Sequence, residues 1–94
     1  MLLTIDVGNT NITMGVFAEE FLTGMFRMTT KRPRTSDEYG FTICGILEHR
    51  SIDPKAIEDV IIASVVPDIM HSLTSGVIKY LHTTPVTVSA DSDT

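Results

Sequence analysis

Two apolar runs near the start of the chain are joined by Asp6-Val7-Gly8-Asn9-Thr10-Asn11. Leu2-Leu3-Thr4-Ile5 reads as a buried strand, and Ile12-Thr13-Met14-Gly15-Val16-Phe17 as the strand that returns beside it. Gly, Asn and Thr close tight hairpins because they tolerate φ > 0 or hydrogen-bond their own backbone. Such a turn commits the chain to an antiparallel pair against which later segments must pack. It also leaves several backbone N–H groups converging on one small concavity, which suits an anion, phosphate above all. Asp6, at the strand end, would repel phosphate unless a cation lay between them. A hard divalent ion such as Mg²⁺, shared with phosphate oxygens, resolves that conflict. The same residue types also close hairpins that bind nothing. Neither G-x-x-x-x-G-K-[ST] nor G-x-G-x-x-G occurs, so neither a P-loop nor a Rossmann site is indicated.

With 94 residues the sequence supports one small domain with a thin core. Hydrophobic residues make up 43% and charged residues 20%, the balance of a globular chain. A net charge of −5 argues against general nucleic-acid binding, which draws on Lys and Arg. The basic cluster Lys31-Arg32-Pro33-Arg34 reads as a solvated loop. Cys44 is the single cysteine, so no internal disulfide forms; amid apolar neighbours it reads as a buried thiol. No positively charged leader precedes the apolar start, and no apolar run approaches ~18 residues. A cytoplasmic location without membrane insertion is the expectation.

Ala18-Glu19-Glu20 is a polar turn, and Phe21 to Thr30 reads as a third antiparallel strand with Gly24 as a candidate bulge. Thr35-Ser36-Asp37-Glu38 forms a capping box whose acids suit the helix dipole. Capping accounts for both Asp37 and Glu38 without acid–base chemistry. Tyr39, Ile43, Ile46, Leu47 and Arg50 fall at helical spacing, which predicts an amphipathic helix over about 36–50. Asp53-Pro54 starts a short helical turn through Ile57. The nearly continuous apolar run from Asp59 to Val66 suggests a central strand covered on both faces. Pro67-Asp68 ends it and opens a helix over 68–82, with Ile69, Leu73, Val77, Ile78 and Leu81 as its stripe. Pro85 to Val88 is a last strand, and Ser89 to Thr94 a frayed tail. Met1, Met14, Met25, Met28 and Met70 read as core fillers. His49, His71 and His82 match no metal-ligand spacing and read as surface residues near helix ends. Ser64, at a strand end, reads as structural. The resulting order β-β-β-α-β-α-β is that of an α/β chain with a mixed sheet and parallel crossovers. Its two helical stripes offer more apolar surface than so small a sheet covers, which points to self-association or contact with further chain.

That element order, with D-x-G-x-T at the first turn, is similar to the N-terminal half of the ribonuclease H-like, actin-like ATPase and sugar-kinase superfamily. Three blocks narrow the likeness. They are Leu3-Thr4-Ile5-Asp6-Val7-Gly8-Asn9-Thr10-Asn11-Ile12; Arg27 with Thr29-Thr30 followed by Thr35-Ser36-Asp37-Glu38-Tyr39; and Ser64-Val65-Val66-Pro67. Together and in this order they resemble type III pantothenate kinases, over positions 1 to about 88. The resemblance implies transfer of the γ-phosphoryl group of ATP to the hydroxyl of pantothenate, in coenzyme A synthesis. It implies a homodimer that needs Mg²⁺ and a monovalent cation, K⁺ or NH₄⁺, with pantothenate and ATP as partners and neither nucleic acid nor membrane. It also assigns Asp6, Val7, Gly8, Asn9, Thr10, Asn11, Ile12 and Thr13 to the ATP-binding turn, Asp6 holding Mg²⁺ and phosphate indirectly. The family's Gly-x-Asp-Arg catalytic motif, second phosphate motif and monovalent-cation ligand would lie beyond Thr94. The expectation is therefore a single N-terminal subdomain over 1–94, with no catalytic residue of its own and inactive alone. Two other readings remain open: a non-catalytic actin-like binding module of the transcription accessory-factor type, and a structural dimerisation fragment.

Overall fold

Leu3, Ile5 and Val7 alternate with Thr4 and Asp6, a period of two that turns one face of a strand to a core. The computed structural model describes residues 1–30 and 34–89. In it this strand is β1 (Leu2–Val7), with β2 (Asn11–Ala18) antiparallel beside it and β3 (Phe21–Thr29) antiparallel to β2. On its other side β1 pairs in parallel with β4 (Asp59–Ser64), and β4 in parallel with β5 (Val86–Ser89). The order is β3-β2-β1-β4-β5, the mixed sheet expected from the sequence. The helices α1 (Ser36–His49) and α2 (Met70–Leu81) supply the crossovers. Short 3₁₀ turns, Pro54–Ala56 and Pro67–Ile69, precede β4 and α2. The second of these shortens the helix expected over 68–82.

Leu3, Ile5 and Val7 join Ile12, Met14, Val60 and Ile62 from neighbouring strands and meet Tyr39, Ile43 and Leu47 of α1 and Leu73, Val77 and Leu81 of α2. The other sheet face is open. Leu22, Met25, Val86 and Val88 are exposed there, and Ile61 and Ala63 are half-buried. Burial of β4 on both faces is therefore not realised among the described residues. A continuous apolar run does not distinguish one covered face from two.

Several local expectations are met with altered detail. The capping box forms: Glu38 N–H donates to Thr35 Oγ1 at 3.1 Å, and Thr35 N–H donates to Glu38 Oε1 at 2.7 Å. Asp37 is not part of it. Lys79 Nζ (2.9 Å) and Tyr80 OH (3.2 Å) both donate to Asp37 Oδ1, tying α2 to α1. The bulge falls one residue before Gly24: Val16 opposes Gly24 and Phe17 opposes Leu22, so Thr23 is the extra residue. Its hydroxyl donates to the Val16 carbonyl at 3.0 Å. Met14, Met28 and Met70 lie in or against the core, but Met1 and Met25 are exposed. Cys44 is half-buried with Sγ 4.0 Å from the Tyr80 carbonyl, and desolvation, then the Glu48 charge, pushes its thiol pKa up. His49, His71 and His82 are exposed, His82 as the C-cap of α2 with φ 57°. Of the basic cluster, Lys31, Arg32 and Pro33 lie outside the described residues, as does the tail from Ala90. Arg34 sits 5.8 Å from the Tyr39 ring centroid.

Two glycines let the helices approach. A Cβ on Gly76 would stand 2.5 Å from the Ser36 carbonyl oxygen, and one on Gly40 would enter the Tyr80 ring. Gly45, in α1, faces nothing within 4 Å. Gly76→Ala should therefore destabilise the fold by about 1–3 kcal/mol through overpacking. Gly45→Ala should stabilise it by about 0.5–1 kcal/mol through helix propensity. Urea midpoints moving in the same direction for both would refute this account of the crossing.

The Asp37–Lys79 pair gives a pH signature. The Lys79 hydrogen bond, its charge and the Tyr80 hydroxyl hold the Asp37 carboxyl below its ordinary value. Its contribution is thus present above about pH 4 and fades as pH falls through the lower, folded-state value. The same hydrogen bond raises Lys79, whose contribution is complete at neutral pH and is lost only at alkaline pH. Both side chains are exposed, so the effect is small. Lys79→Met should lower Tm slightly at neutral pH, with the gap from the parent closing in acid. A gap unchanged at about pH 2 would show that the pair is not its source.

Candidate nucleotide-phosphate site

β1 and β4 run parallel and end side by side, Val7 opposite Ser64. Ligands of open α/β sheets gather at this carboxyl edge. Here the chain leaves β1, turns through Gly8, Asn9 and Thr10, and enters β2, with Val7 opposite Ile12. Gly8 N–H donates to the Asn11 carbonyl at 2.9 Å. No turn residue takes positive φ; among the described residues those that do are Glu19, Ser51 and His82. The conformational freedom expected of Gly8 is thus not what the turn uses. Gly8 is suited by space: a Cβ there would come within 3.2 Å of the Asn11 carbonyl oxygen.

The turn is held from both flanks. Thr30, just past β3, donates its hydroxyl to the Gly8 carbonyl and its N–H to the Thr10 carbonyl, each at 2.9 Å. From the β4 side, Val65 N–H donates to the Val7 carbonyl at 3.1 Å. The N–H groups of Asn9 and Thr10 have no protein acceptor among the described residues. Asn9 and Thr10 are exposed, and Asn11 and Thr13 half-buried. The Val7 and Ile12 side chains are fully in the core, which leaves only their backbone to the site.

Asp6 falls on the open face, because Ile5 and Val7 on either side of it face the helices. Its cross-strand neighbours are Thr13 and Ala63. The carboxylate is exposed and has no hydrogen-bond or ion-pair partner among the described residues. A free carboxylate fits Mg²⁺, which takes one or two carboxylates and completes its shell with water and phosphate oxygens, and free N–H groups fit phosphate. No cluster of three or more His, Cys, Asp or Glu side chains with metal-binding geometry occurs among the described residues.

Ser64 is structural, as its place in the sequence suggests. Its Oγ accepts the Val66 N–H at 2.8 Å and shapes the exit from β4. Next to it a shallow depression of about 260 Å³ is lined by Ser64, Pro67, Met70, Thr87 and Val88. A groove of about 370 Å³, lined by Phe26, Phe41, Ile46 and Arg50 among others, opens between α1 and β3 and does not adjoin the turn. Sequence reasoning placed Thr30 in the second block of the family resemblance but gave it no part in the turn. The signal was present in the strand register: Asn11 opposite Thr29 places Thr30 beside Thr10.

The fold is a mixed α/β sheet with both helices on one face. A solved candidate N-acetylglucosamine kinase from Porphyromonas gingivalis matches with a TM-score of 0.67 at 19% identity, over 95% of this chain and 34% of that one. The family model described as type III pantothenate kinase matches residues 2–94, and the chain belongs to that family. It is 53% identical over 90 residues to the type III pantothenate kinase of Agathobacter rectalis, covering 96% of this chain and 35% of that protein. The corresponding protein of Listeria innocua is 46% identical over 88 residues, 94% of this chain and 34% of the relative. The chain thus spans about a third of the length of the curated relatives it matches. No helix among the described residues is long and apolar enough to cross a membrane.

Ser64→Ala should cost about 1–2 kcal/mol of stability, because it strips a part-buried N–H of its acceptor. Unfolding at the parent urea midpoint would show that the Ser64–Val66 bond does not hold this edge.

Proposed function

We propose that this chain is the ATP-phosphate-binding subdomain of a kinase that transfers the γ-phosphoryl group of ATP to the hydroxyl of pantothenate, in coenzyme A biosynthesis. The observation that carries the reading is the pairing of an unpartnered Asp6 carboxylate with the free N–H groups of Asn9 and Thr10 at the carboxyl edge of the sheet. Family membership supports the substrate.

In this reading the N–H groups of Asn9, Thr10 and Asn11 hold and orient phosphate oxygens. Gly8 keeps the turn tight, and Val7 and Ile12 contribute backbone while anchoring it to the core. Asp6 and the Thr13 hydroxyl beside it face the metal-bound phosphates. Mg²⁺, when bound, neutralises charge on the phosphates during transfer. Phosphoryl transfer also needs a residue that orients or deprotonates the attacking hydroxyl. In this proposal a facing subdomain supplies it, along with the site for K⁺ or NH₄⁺. A cytoplasmic homodimer acting on small molecules rather than nucleic acid completes the reading, in keeping with the acidic composition.

The test pairs two measurements. In a full-length kinase carrying this chain, Asp6→Asn should keep the fold and lower kcat roughly a hundredfold or more, the scale expected when charge stabilisation is removed. Parent-rate turnover by the Asn variant would remove Asp6 from the site. The 94-residue chain, assayed for pantothenate-dependent ATP consumption with Mg²⁺ and K⁺, should show no turnover above background. Turnover abolished by Asp6→Asn would place the base within this chain.

A further inference from the structure

We infer that Thr30 is the positioning residue of the phosphate turn, setting the direction of the Asn9 and Asn11 N–H groups together. The inference rests on the reading of that turn as an ATP-phosphate site. Thr30 lies outside the Asp6–Thr13 segment to which the resemblance assigns nucleotide binding. It reaches the turn from the end of β3 and bonds it twice, hydroxyl to the Gly8 carbonyl and N–H to the Thr10 carbonyl, both at 2.9 Å.

The consequence follows from peptide geometry. In a trans peptide the carbonyl of one residue and the N–H of the next point in opposite directions, because the unit is planar. A Gly8 carbonyl drawn to Thr30 therefore turns the Asn9 N–H away from Thr30. A Thr10 carbonyl drawn to Thr30 does the same for the Asn11 N–H. One residue thereby sets two donors, leaving the Asn9 N–H without a protein acceptor. The third internal bond, Gly8 N–H to the Asn11 carbonyl, closes the turn but fixes neither of these peptide units. Without the Thr30 hydroxyl, the Gly8–Asn9 peptide is free to rotate, and its N–H no longer holds one direction. Preorganised donors lose affinity when they must be ordered at the moment of binding. Thr30 itself touches no phosphate in this arrangement; it acts through the turn.

The test uses the isotopically labelled chain titrated with MgATP and followed through its backbone amide resonances. In the parent, MgATP should shift Asn9, Thr10 and Asn11. Thr30→Val keeps the shape and the backbone N–H but removes the hydroxyl, and should weaken MgATP about tenfold, as expected for one lost buried hydrogen bond. Thr30→Ser restores the donor and should stay within about threefold of the parent. Amide resonances away from the turn should coincide in the parent and both variants, whereas a general loss of structure would move them throughout. Absence of shifts at Asn9 to Asn11 in the parent would sink the phosphate-site reading, and the role of Thr30 with it. Shifts in the parent with equal MgATP affinity in Thr30→Val would leave the site standing and overturn Thr30 alone. Should Thr30→Val not fold, hydrogen exchange in the parent decides. MgATP should slow exchange of the Thr30 N–H, and unchanged exchange while Asn9 and Asn11 shift would overturn the inference.

Discussion

The pairing register of β1 is the constraint on which the rest depends. The strand is central in the sheet, antiparallel to β2 and parallel to β4. Leu3, Ile5 and Val7 are essentially inaccessible beneath the helices, and Asp6 points the other way. A slip of one residue would exchange the two sets, burying a carboxylate and exposing three core side chains. Apolar burial therefore enforces the register, and the register delivers Asp6 to the open face at the carboxyl edge. The position of the candidate metal-binding group is in this sense a by-product of hydrophobic packing.

A second layer of constraint lies between the helices. Gly40 and Gly76 remove side chains where α1 and α2 cross, and Asp37, Lys79 and Tyr80 tie the same crossing at its rim. The crossing holds both helices on one side of the sheet. It leaves the other side, with Leu22, Met25, Val86 and Val88, open among the described residues. Asp6 shares that open side.

Features that rest on neighbouring residues were legible in the sequence. The hairpin at Gly8 to Asn11, the Thr35–Glu38 capping box, the Asp53 cap and the order of strands and helices all follow from local chemistry. Features that depend on chain segments meeting were not. Asp37 has the sequence context of a capping acid, yet its partners Lys79 and Tyr80 come from the other helix. Thr30 belongs to a block of the family resemblance, but its bonds to the turn emerge only when the β2–β3 register sets it beside Thr10. The half-open state of β4 was hidden because Ile61 and Ala63 are as apolar as the buried Val60 and Ile62. In the site, the type of each residue from Asp6 to Thr13 suggested the chemistry. The orientation of each carbonyl and N–H emerged only from the folded turn.

Three of the bonds that shape the turn join Gly8, Thr10, Asn11 and Thr30, at the opening meander of β1, β2 and β3; the Val65 bond to the Val7 carbonyl comes from the β4 side. The parallel pair is of another kind, since Leu2 must find Asp59 across the whole of α1. Contacts close in sequence form sooner than distant ones, because less loop entropy is lost in closing them. During synthesis the meander leaves the ribosome first, with its own hydrogen bonds able to close, while the core side of β1 still lacks both helices. The bonds within the turn can therefore close before the hydrophobic core is complete. Errors in the late stage would leave a chain whose turn is native and whose apolar face is bare, a species prone to aggregate rather than one that is simply unfolded.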